Sequence, residues 1–281
     1  MTTGEATREE PGVVSRIGTP LIVASALAST FGIVVAQFLD DLGDGLLAEF
    51  LGGDAVLYNN RVEFTGASDL AWGGGFVLCI VIGLFALFVY PTQRGHGVPR
   101  LVLLWMLLHV LRQALTQAAF LPFQDDSQLA LAYDTLDAPP GLDVVIAAGG
   151  GLGLLLIALA AASAFLAFTP NRRLVSTPRR RTMLALWIAL IPAVASAFAA
   201  IPYFLPDSQG LVLPGLPLTA VIFLATLAAA PGTGSVTGPE DDRLITWPWG
   251  LVVFMILLLI FYLGVLQGGI SVDPRLWGTA Q

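Results

Sequence analysis

The 281-residue chain contains no lysine, a single cysteine and few charged residues. All 13 basic residues are arginines, which excludes a lysine Schiff base and a lysine grip on phosphate. The one cysteine, Cys79, lies in an apolar run. A single thiol cannot form a disulfide framework or a thiolate zinc site. These absences exclude sites that depend on lysine, on disulfides or on zinc held by thiolates.

The low charge content indicates a membrane protein. Charged residues make up 12% of the chain and hydrophobic residues 56%, and the mean hydropathy is +0.80. A soluble domain carries about 25% charged residues. We therefore expect the lipid bilayer to be the main partner of this chain. A net charge of −7 excludes nucleic acid, because phosphate binding needs clustered basic side chains.

Seven apolar segments are long enough to cross roughly 30 Å of hydrocarbon at about 1.5 Å per residue. The sequence predicts an all-α fold, a polytopic transmembrane helical bundle of about seven spans. Pro192 is expected to kink the fifth span. The predicted spans are residues 19–39, 71–91, 101–121, 143–168, 182–204, 211–230 and 248–268.

The arginines predict the orientation of the bundle. Ten lie in the N-terminal tail and the even-numbered connections, and two, Arg61 and Arg275, lie on the other side. By the positive-inside rule, the N-terminus is cytoplasmic and the C-terminus outside, and we expect a multi-pass protein of the plasma membrane. Residues 1–17 are polar and predict a disordered tail. Residues 18–281 then form a single transmembrane domain.

The two longest outer connections carry structure of their own. Residues 58–61, Tyr-Asn-Asn-Arg, separate the short apolar runs 55–57 and 62–64, which predicts a small outer β-hairpin. Residues 122–142 are acidic and predict one short interfacial helix. Two glycine clusters, at residues 73–75 and 149–153, predict close contact between helices.

Three carboxylates, Asp40, Asp41 and Asp44, follow the first apolar segment. On a helix Asp40 and Asp44 share a face. The simplest interpretation is a solvated helix end in an acidic outer loop. The alternative is a metal site, because a divalent cation such as Mg²⁺ or Ca²⁺ accepts clustered carboxylate ligands. We expect no other cofactor.

The stretch Asp40-Asp41-Leu42-Gly43-Asp44, followed by an apolar run and Gly52-Gly53, resembles the zinc-binding helix of M50-type, site-2-protease-like membrane metallopeptidases. In that family a His-Glu-Leu-Gly-His core precedes a small apolar run, Gly-Gly and a short β-structure. The resemblance covers about the first 170 residues. A glycine-rich second span and the Arg-Leu-Val-Leu-Leu-Trp start of the third span also fit it.

The chain departs from the family at the zinc motif. Asp40, Asp41 and Asp44 replace the two histidines and the glutamate, and zinc prefers imidazole or thiolate ligands. No late Asp-Gly motif is present to supply a third ligand. The resemblance therefore implies a non-proteolytic relative, and neither zinc nor peptide hydrolysis is carried over to these residues.

One face of the third span is polar. Its members are spaced i, i+3, i+4 and i+7, and a buried arginine requires a partner. We predict that the arginine pairs with one of the three aspartates across the bundle. The face could lock helices together or line a cavity for a polar ligand, an ion or protons. It consists of His109, Arg112, Gln113 and Thr116.

These features favour a non-catalytic membrane protein that scaffolds or binds a partner or ligand through its outer hairpin and acidic loops. A membrane-protein partner fits this function. One alternative is a small transporter or permease-like subunit that uses the His109, Arg112 and Gln113 face as a polar path. The other is a divergent metal-dependent membrane hydrolase that uses the aspartates.

Overall fold

The computed structural model describes residues 18–93, 97–169, 172–205, 215–233 and 245–273. It confirms the predicted all-α membrane bundle with a small β-hairpin. The predicted tail 1–17 lies outside the described residues. The helices and strands are, in chain order, α1 (Thr19–Phe50), β1 (Asp54–Leu57), β2 (Val62–Thr65), α2 (Gly74–Val89), α3 (Val98–Phe120), α4 (Gln128–Asp134), α5 (Leu142–Leu166), α6 (Pro178–Ala185), α7 (Ile191–Ala200), α8 (Gly215–Ala229), α9 (Trp249–Gly264) and β3 (Ile270–Ser271).

Six helical segments of the described chain are long and apolar enough to cross a membrane. Short 3₁₀ turns extend α2, α3 and α9, and α6 continues into α7. The resulting segments match six of the seven predicted spans. They are Thr19–Phe50, Asp69–Thr92, Val98–Phe123, Leu142–Leu166, Pro178–Phe204 and Trp249–Gly268.

The sixth predicted span, 211–230, is represented by the shorter α8, and residues 211–214 lie outside the described residues. The chain leaves α7 beside the sheet, where the Asn59 side chain donates hydrogen bonds to the carbonyls of Tyr203 and Leu205. After α8, the carbonyl of Pro231 accepts a hydrogen bond from Arg181, at the start of α6. α8 is too short to count as a seventh span among the described residues, so the seventh pass stays a prediction.

Helix α1 is the central element of the bundle and packs against α2, α3, α7 and α9. Its buried residues include Ala24, Ala28, Gly32 and Ala36, which recur every four residues and lie on one face. A Cβ at Gly32 would lie 2.8 Å from the Trp105 carbonyl oxygen. Small residues of this kind let helix backbones approach closely, as in other membrane bundles.

The predicted disturbance at Pro192 takes the form of a π-helical segment, Leu186–Leu190, between α6 and α7. Proline has no amide hydrogen, so the carbonyl of Ile188, four residues earlier, loses its α-helical donor. Ser25 of α1 replaces that donor, and its hydroxyl lies 2.6 Å from the Ile188 carbonyl oxygen. The irregular helix is thereby fixed to the central helix.

The predicted hairpin is confirmed and is part of a larger sheet. Strands β1 and β2 are antiparallel, and β3, which the sequence did not predict, pairs antiparallel with β1 on its other edge. Glu49 at the end of α1 accepts a hydrogen bond from the Ala55 amide at 2.7 Å. Because β1 follows the first helix and β3 follows the last, both chain halves meet at this end of the bundle.

The remaining local predictions are confirmed in part. Residues 122–142 contain the short helix α4, as expected. In the glycine clusters, Gly74 and Gly75 contact α1, and Gly150 contacts α3. A Cβ at Gly151 would meet no atom within 4 Å. Only some of the clustered glycines therefore serve helix packing.

Candidate functional site

The aspartate cluster lies inside α1 and not at a solvated helix end. The helix continues eleven residues beyond the predicted end of the first span, to Phe50. The relative exposures of Asp40, Asp41 and Asp44 are 2%, 4% and 1%. The interpretation as a wet helix end is therefore wrong, because neighbouring helices cover the carboxylates. Buried carboxylates need hydrogen bonds or a compensating charge.

Asp40 is held by two amides of α3. Gln113 Nε2 donates to Asp40 Oδ2 at 2.9 Å, and Gln117 Nε2 lies 3.0 Å from both carboxylate oxygens. The two glutamines are four residues apart and lie on the same face of α3. The carboxylate therefore joins α1 to α3.

Asp44 and Asp41 have different partners. Asp44 Oδ1 accepts a hydrogen bond from the backbone amide of Gly75 in α2 at 2.6 Å. Asp41 Oδ1 accepts one from Gln37, one turn earlier in α1, at 3.2 Å. Adjacent residues of a helix point about 100° apart, and Asp40 and Asp41 have different hydrogen-bond partners. The three carboxylates thus serve three separate contacts.

This arrangement gives no support to the alternative interpretation of Asp40, Asp41 and Asp44 as a metal site. Among the described residues, no group of three or more His, Cys, Asp or Glu side chains could hold a metal ion. Oxygen-ligated cations require several ligands that converge on one point. Within the described part of the chain, Asp40 and Asp44 accept hydrogen bonds from other helices, and Asp41 accepts one from its own helix.

His109, the first member of the predicted polar face, is buried between α1 and α7. Its Nε2 lies 3.0 Å from the Ser29 hydroxyl, which is 2.7 Å from the Ser196 hydroxyl. The imidazole ring stacks on Trp105 with a centroid separation of 5.5 Å. This chain of polar groups joins three helices through short hydrogen bonds. It supports the interpretation of the face as an inter-helix lock.

The other members of the face have distinct positions. Gln113 bonds Asp40, and Arg112 Nη2 lies 3.5 Å from the Gln113 side-chain oxygen. The Thr116 hydroxyl is buried without a hydrogen-bond partner among the described residues. Gln113 and Gln117 donate hydrogen bonds to Asp40. The pairing of Arg112 with an aspartate stays a prediction.

Two further buried oxygens near the cluster have no hydrogen-bond partner among the described residues. They are Asp44 Oδ2 and Gln117 Oε1. Gln117 Oε1 belongs to the amide that donates to Asp40, so it lies close to that carboxylate. Unpaired buried oxygens are uncommon and costly. They mark this layer of the bundle as the polar part of its interior.

A second connection between α1 and α3 lies nearer the start of both helices. The Trp105 indole nitrogen donates to the Ser25 hydroxyl at 2.8 Å, and that hydroxyl donates to the Ile188 carbonyl. Trp105 is fully buried and contacts the rings of Phe165 and Phe223. One serine hydroxyl thus connects α1 to both α3 and the π-helical segment.

An apolar pocket of about 400 Å³ lies below the sheet. One wall is a stripe of α1 with i, i+4, i+8 spacing, and the opposite wall is the end of α9. The sheet closes the pocket from above. Its lining consists of Phe38, Leu42, Leu46, Leu57, Phe261, Leu266, Ile270, Ser271 and Val272.

The sequence contained signals for some of the residues that the predictions missed. Gln117 extends the predicted face by one more turn, because it follows Gln113 at i+4. Ser25 and Ser29 share the same spacing on α1, but serine is common in membrane helices and carries little signal alone. The glycine cluster at residues 73–75 predicted close helix contact but not the bond from the Gly75 amide to Asp44. No local pattern indicates the pocket, since its walls come from distant segments.

Comparisons of the chain with protein-family models, curated proteins and solved structures give no match.

Proposed function

We propose that this chain is a non-catalytic integral membrane protein that binds a ligand or partner at the end that carries the sheet. The apolar pocket between α1, α9 and the sheet is the observation that carries this proposal. Preformed apolar pockets of 300–1,000 Å³ are typical of small-molecule sites. The pocket of about 400 Å³ falls in this range.

The sheet gives this site a rigid support. Glu49 binds the Ala55 amide, and Asn59 binds the carbonyls of Tyr203 and Leu205. The hairpin is therefore attached to both α1 and the end of α7. A site built on fixed elements binds with less loss of conformational freedom than one on mobile loops.

A distant relationship to M50-type peptidases is part of the proposal. It is supported by the order of elements, in which an aspartate-bearing helix is followed by Gly52-Gly53 and a β-hairpin. The non-catalytic role is supported by the partners of the carboxylates. Asp40 and Asp44, which occupy the positions of the family's histidines, bind amides of other helices.

We place the N-terminus in the cytoplasm and the C-terminus outside, in the plasma membrane. Arg179, Arg180 and Arg181 begin α6, at the end of the bundle opposite the sheet. Arginine-rich ends favour the cytoplasmic side. In the Ser271→Cys variant, the introduced thiol should react with a membrane-impermeant maleimide that is added to intact cells. Labelling only after lysis would reverse the assigned orientation.

Native mass spectrometry of the purified protein tests the binding function. We expect one small-molecule adduct to be retained by the wild type and lost when Leu42→Trp fills the pocket. The control is Leu257→Trp, which makes the same change on an exposed face of α9. A wild type without any adduct under gentle activation, or equal retention by both variants, would contradict the proposal.

A second candidate function is transport of protons or a cation through the aspartate layer. Buried ionisable residues in membrane helices often mark such paths, and Asp40 and Asp44 are buried beside unpaired oxygens. Proteoliposomes with an imposed pH gradient distinguish the candidates. Transport requires a proton or cation flux that Asp40→Asn abolishes, whereas the binding function predicts the same passive leak for wild type and variant.

A further inference from the structure

The pocket below the sheet has walls of hydrocarbon. On α1, Phe38, Leu42 and Leu46 form one stripe. Leu57 of β1 and Leu266 after α9 close the pocket on the side of the sheet. Leu57 and Leu266 are almost fully buried, at 4% and 1% exposure. Apolar cavities of this kind stay dry in proteins. The occupant of the pocket must therefore itself be apolar.

The pocket opens towards the lipid-facing side of the bundle. Leu46 and Phe261, which line its edge, are each 41% exposed. The surface continues from Phe261 onto Leu257 and Ile260 of α9, which are 59% and 60% exposed. Exposed apolar side chains on a membrane-spanning helix face lipid. Lipid can thus reach the pocket from the side without leaving the bilayer.

The pocket also lies at the right depth. The apolar segment Trp249–Gly268 has 20 residues and is about 30 Å long at 1.5 Å per residue, which equals the hydrocarbon thickness of a bilayer. Phe261 and Leu266 lie about 18 and 26 Å from its start on the same scale. The pocket therefore lies past the midplane, among the acyl chains of the leaflet on the sheet side.

From this placement we infer that the pocket is a binding site for one acyl chain of a bilayer phospholipid. The methyl end of the chain lies at Phe38, the lining residue of α1 farthest from the sheet, and the ester end lies beside Leu57 and Ser271, on neighbouring strands of the sheet. This inference rests on the proposed binding function and names the chemical class of its ligand.

The dimensions favour an acyl chain over a protein segment. A helix about 10 Å in diameter fills roughly 420 Å³ per turn, so the pocket would hold a single turn, too little for a helix from a partner or a second copy. An extended polypeptide would bring unpaired amide groups against an apolar wall, which is costly. At about 30 Å³ per water-sized group, the pocket holds roughly a dozen methylene-sized groups.

Photolabelling in bilayers tests the inference. The whole protein is reconstituted in phosphatidylcholine vesicles that contain phosphatidylcholine with a diazirine near the end of one acyl chain. After irradiation, labelled residues are mapped by peptide mass spectrometry. We expect label at Phe38 and Leu42 well above that at Leu257, which reports lipid in general contact with the surface. A probe with its diazirine near the ester should shift label towards Ser271.

Variants with the same substitution at two positions give the matched comparison. Leu42→Trp fills the pocket and should lower label at Phe38 by about tenfold, because several methylenes lose their burial. Leu257→Trp adds the same side chain on the lipid-facing surface and should leave that label unchanged. If gel filtration shows that the Leu42→Trp variant is misfolded, the comparison of the two probes in the wild type tests the inference by itself.

Three outcomes would overturn the inference. The first is label spread evenly over α9 and absent from Phe38, which means that ordinary surface lipid alone, or a second copy, covers the pocket. The second is label at Phe38 that Leu42→Trp does not reduce. The third is label from a free fatty acid probe but not from the phospholipid. Any of these outcomes could occur while native mass spectrometry still shows an adduct that Leu42→Trp removes. The binding function would then stand, and only the phospholipid chain would be rejected as the ligand.

Discussion

The carboxylate of Asp44 is bound by the backbone of Gly75, whose amide nitrogen lies 2.6 Å from Asp44 Oδ1. This contact requires α1 and α2 to touch at their backbones. A Cβ at Gly43 would lie 2.5 Å from the Gly74 carbonyl oxygen, and a Cβ at Gly75 would lie 2.5 Å from Asp40 Oδ1. Glycine is therefore necessary on both sides of this interface, and the aspartates depend on it.

The first prediction concerns this glycine contact. Gly74→Ala places a methyl group against the Gly43 backbone and 2.8 Å from Leu47 Cβ. It should lower the free energy of unfolding by about 1–3 kcal/mol, because the backbones must separate. Gly151→Ala, where no atom lies within 4 Å, should be neutral or slightly stabilising. Unfolding in mixed micelles by SDS titration measures both. Equal stability of the two variants would contradict the account.

The second prediction concerns the bond between Asp40 and Gln117. Either Gln117→Leu or Asp40→Leu alone leaves a buried polar group unpaired and should cost about 1–3 kcal/mol. The double variant should cost less than the sum by about 1–2 kcal/mol, since both partners are then removed together. Gln124→Leu, in an exposed loop, is the control. Additive effects in the double-mutant cycle would mean that the two side chains do not interact.

The helices and the hairpin could be predicted because their signals are local. Long apolar runs indicate spans, and a polar four-residue turn between two apolar runs indicates a hairpin. The end of α1 could not be predicted, because Asp40, Asp41 and Asp44 interrupt the apolar run. Their burial depends on Gly75 and on glutamines of α3 more than 70 residues away. Strand β3 has only two residues and forms because β1 offers it an edge.

The sequence indicates that His109 and Gln113 share one face of α3, but it does not indicate their partners. The i, i+4 spacing gives the direction of His109 and Gln113 on the helix. It does not reveal that Ser29 and Asp40 face them from α1. The pocket was not predicted either, since its walls come from α1, α9 and the sheet.

The third prediction concerns Ser25 and the proline of the fifth span. Ser25→Ala removes the donor to the Ile188 carbonyl and the acceptor of the Trp105 indole, and each lost bond should cost about 1 kcal/mol, the usual size of such bonds in membranes. In a Pro192→Ala background, the restored amide at position 192 can serve that carbonyl, so the cost of Ser25→Ala should be smaller. The same SDS titration compares the four proteins. An unchanged cost would show that the proline is not the reason for the bond.

The fourth prediction concerns access of water to the aspartates. A water-soluble carbodiimide with an amine nucleophile should modify the exposed Asp125 and Asp126 in the folded protein. It should leave Asp40 and Asp44 unmodified until the protein is unfolded, because neighbouring helices cover both. Peptide mass spectrometry quantifies each site. Modification of Asp40 at the rate of Asp125 would indicate a water-filled path and favour the transport function.

The central claim is that Asp40 and Asp44 of α1 connect helices and do not hold a catalytic metal. The most direct test is the metal content of the detergent-purified protein, for the wild type and for Asp40→Ala/Asp44→Ala. The account predicts no stoichiometric divalent metal in either sample and a lower stability of the double variant. One divalent metal ion per chain in the wild type, lost in the double variant, would contradict it and support a metal-dependent hydrolase.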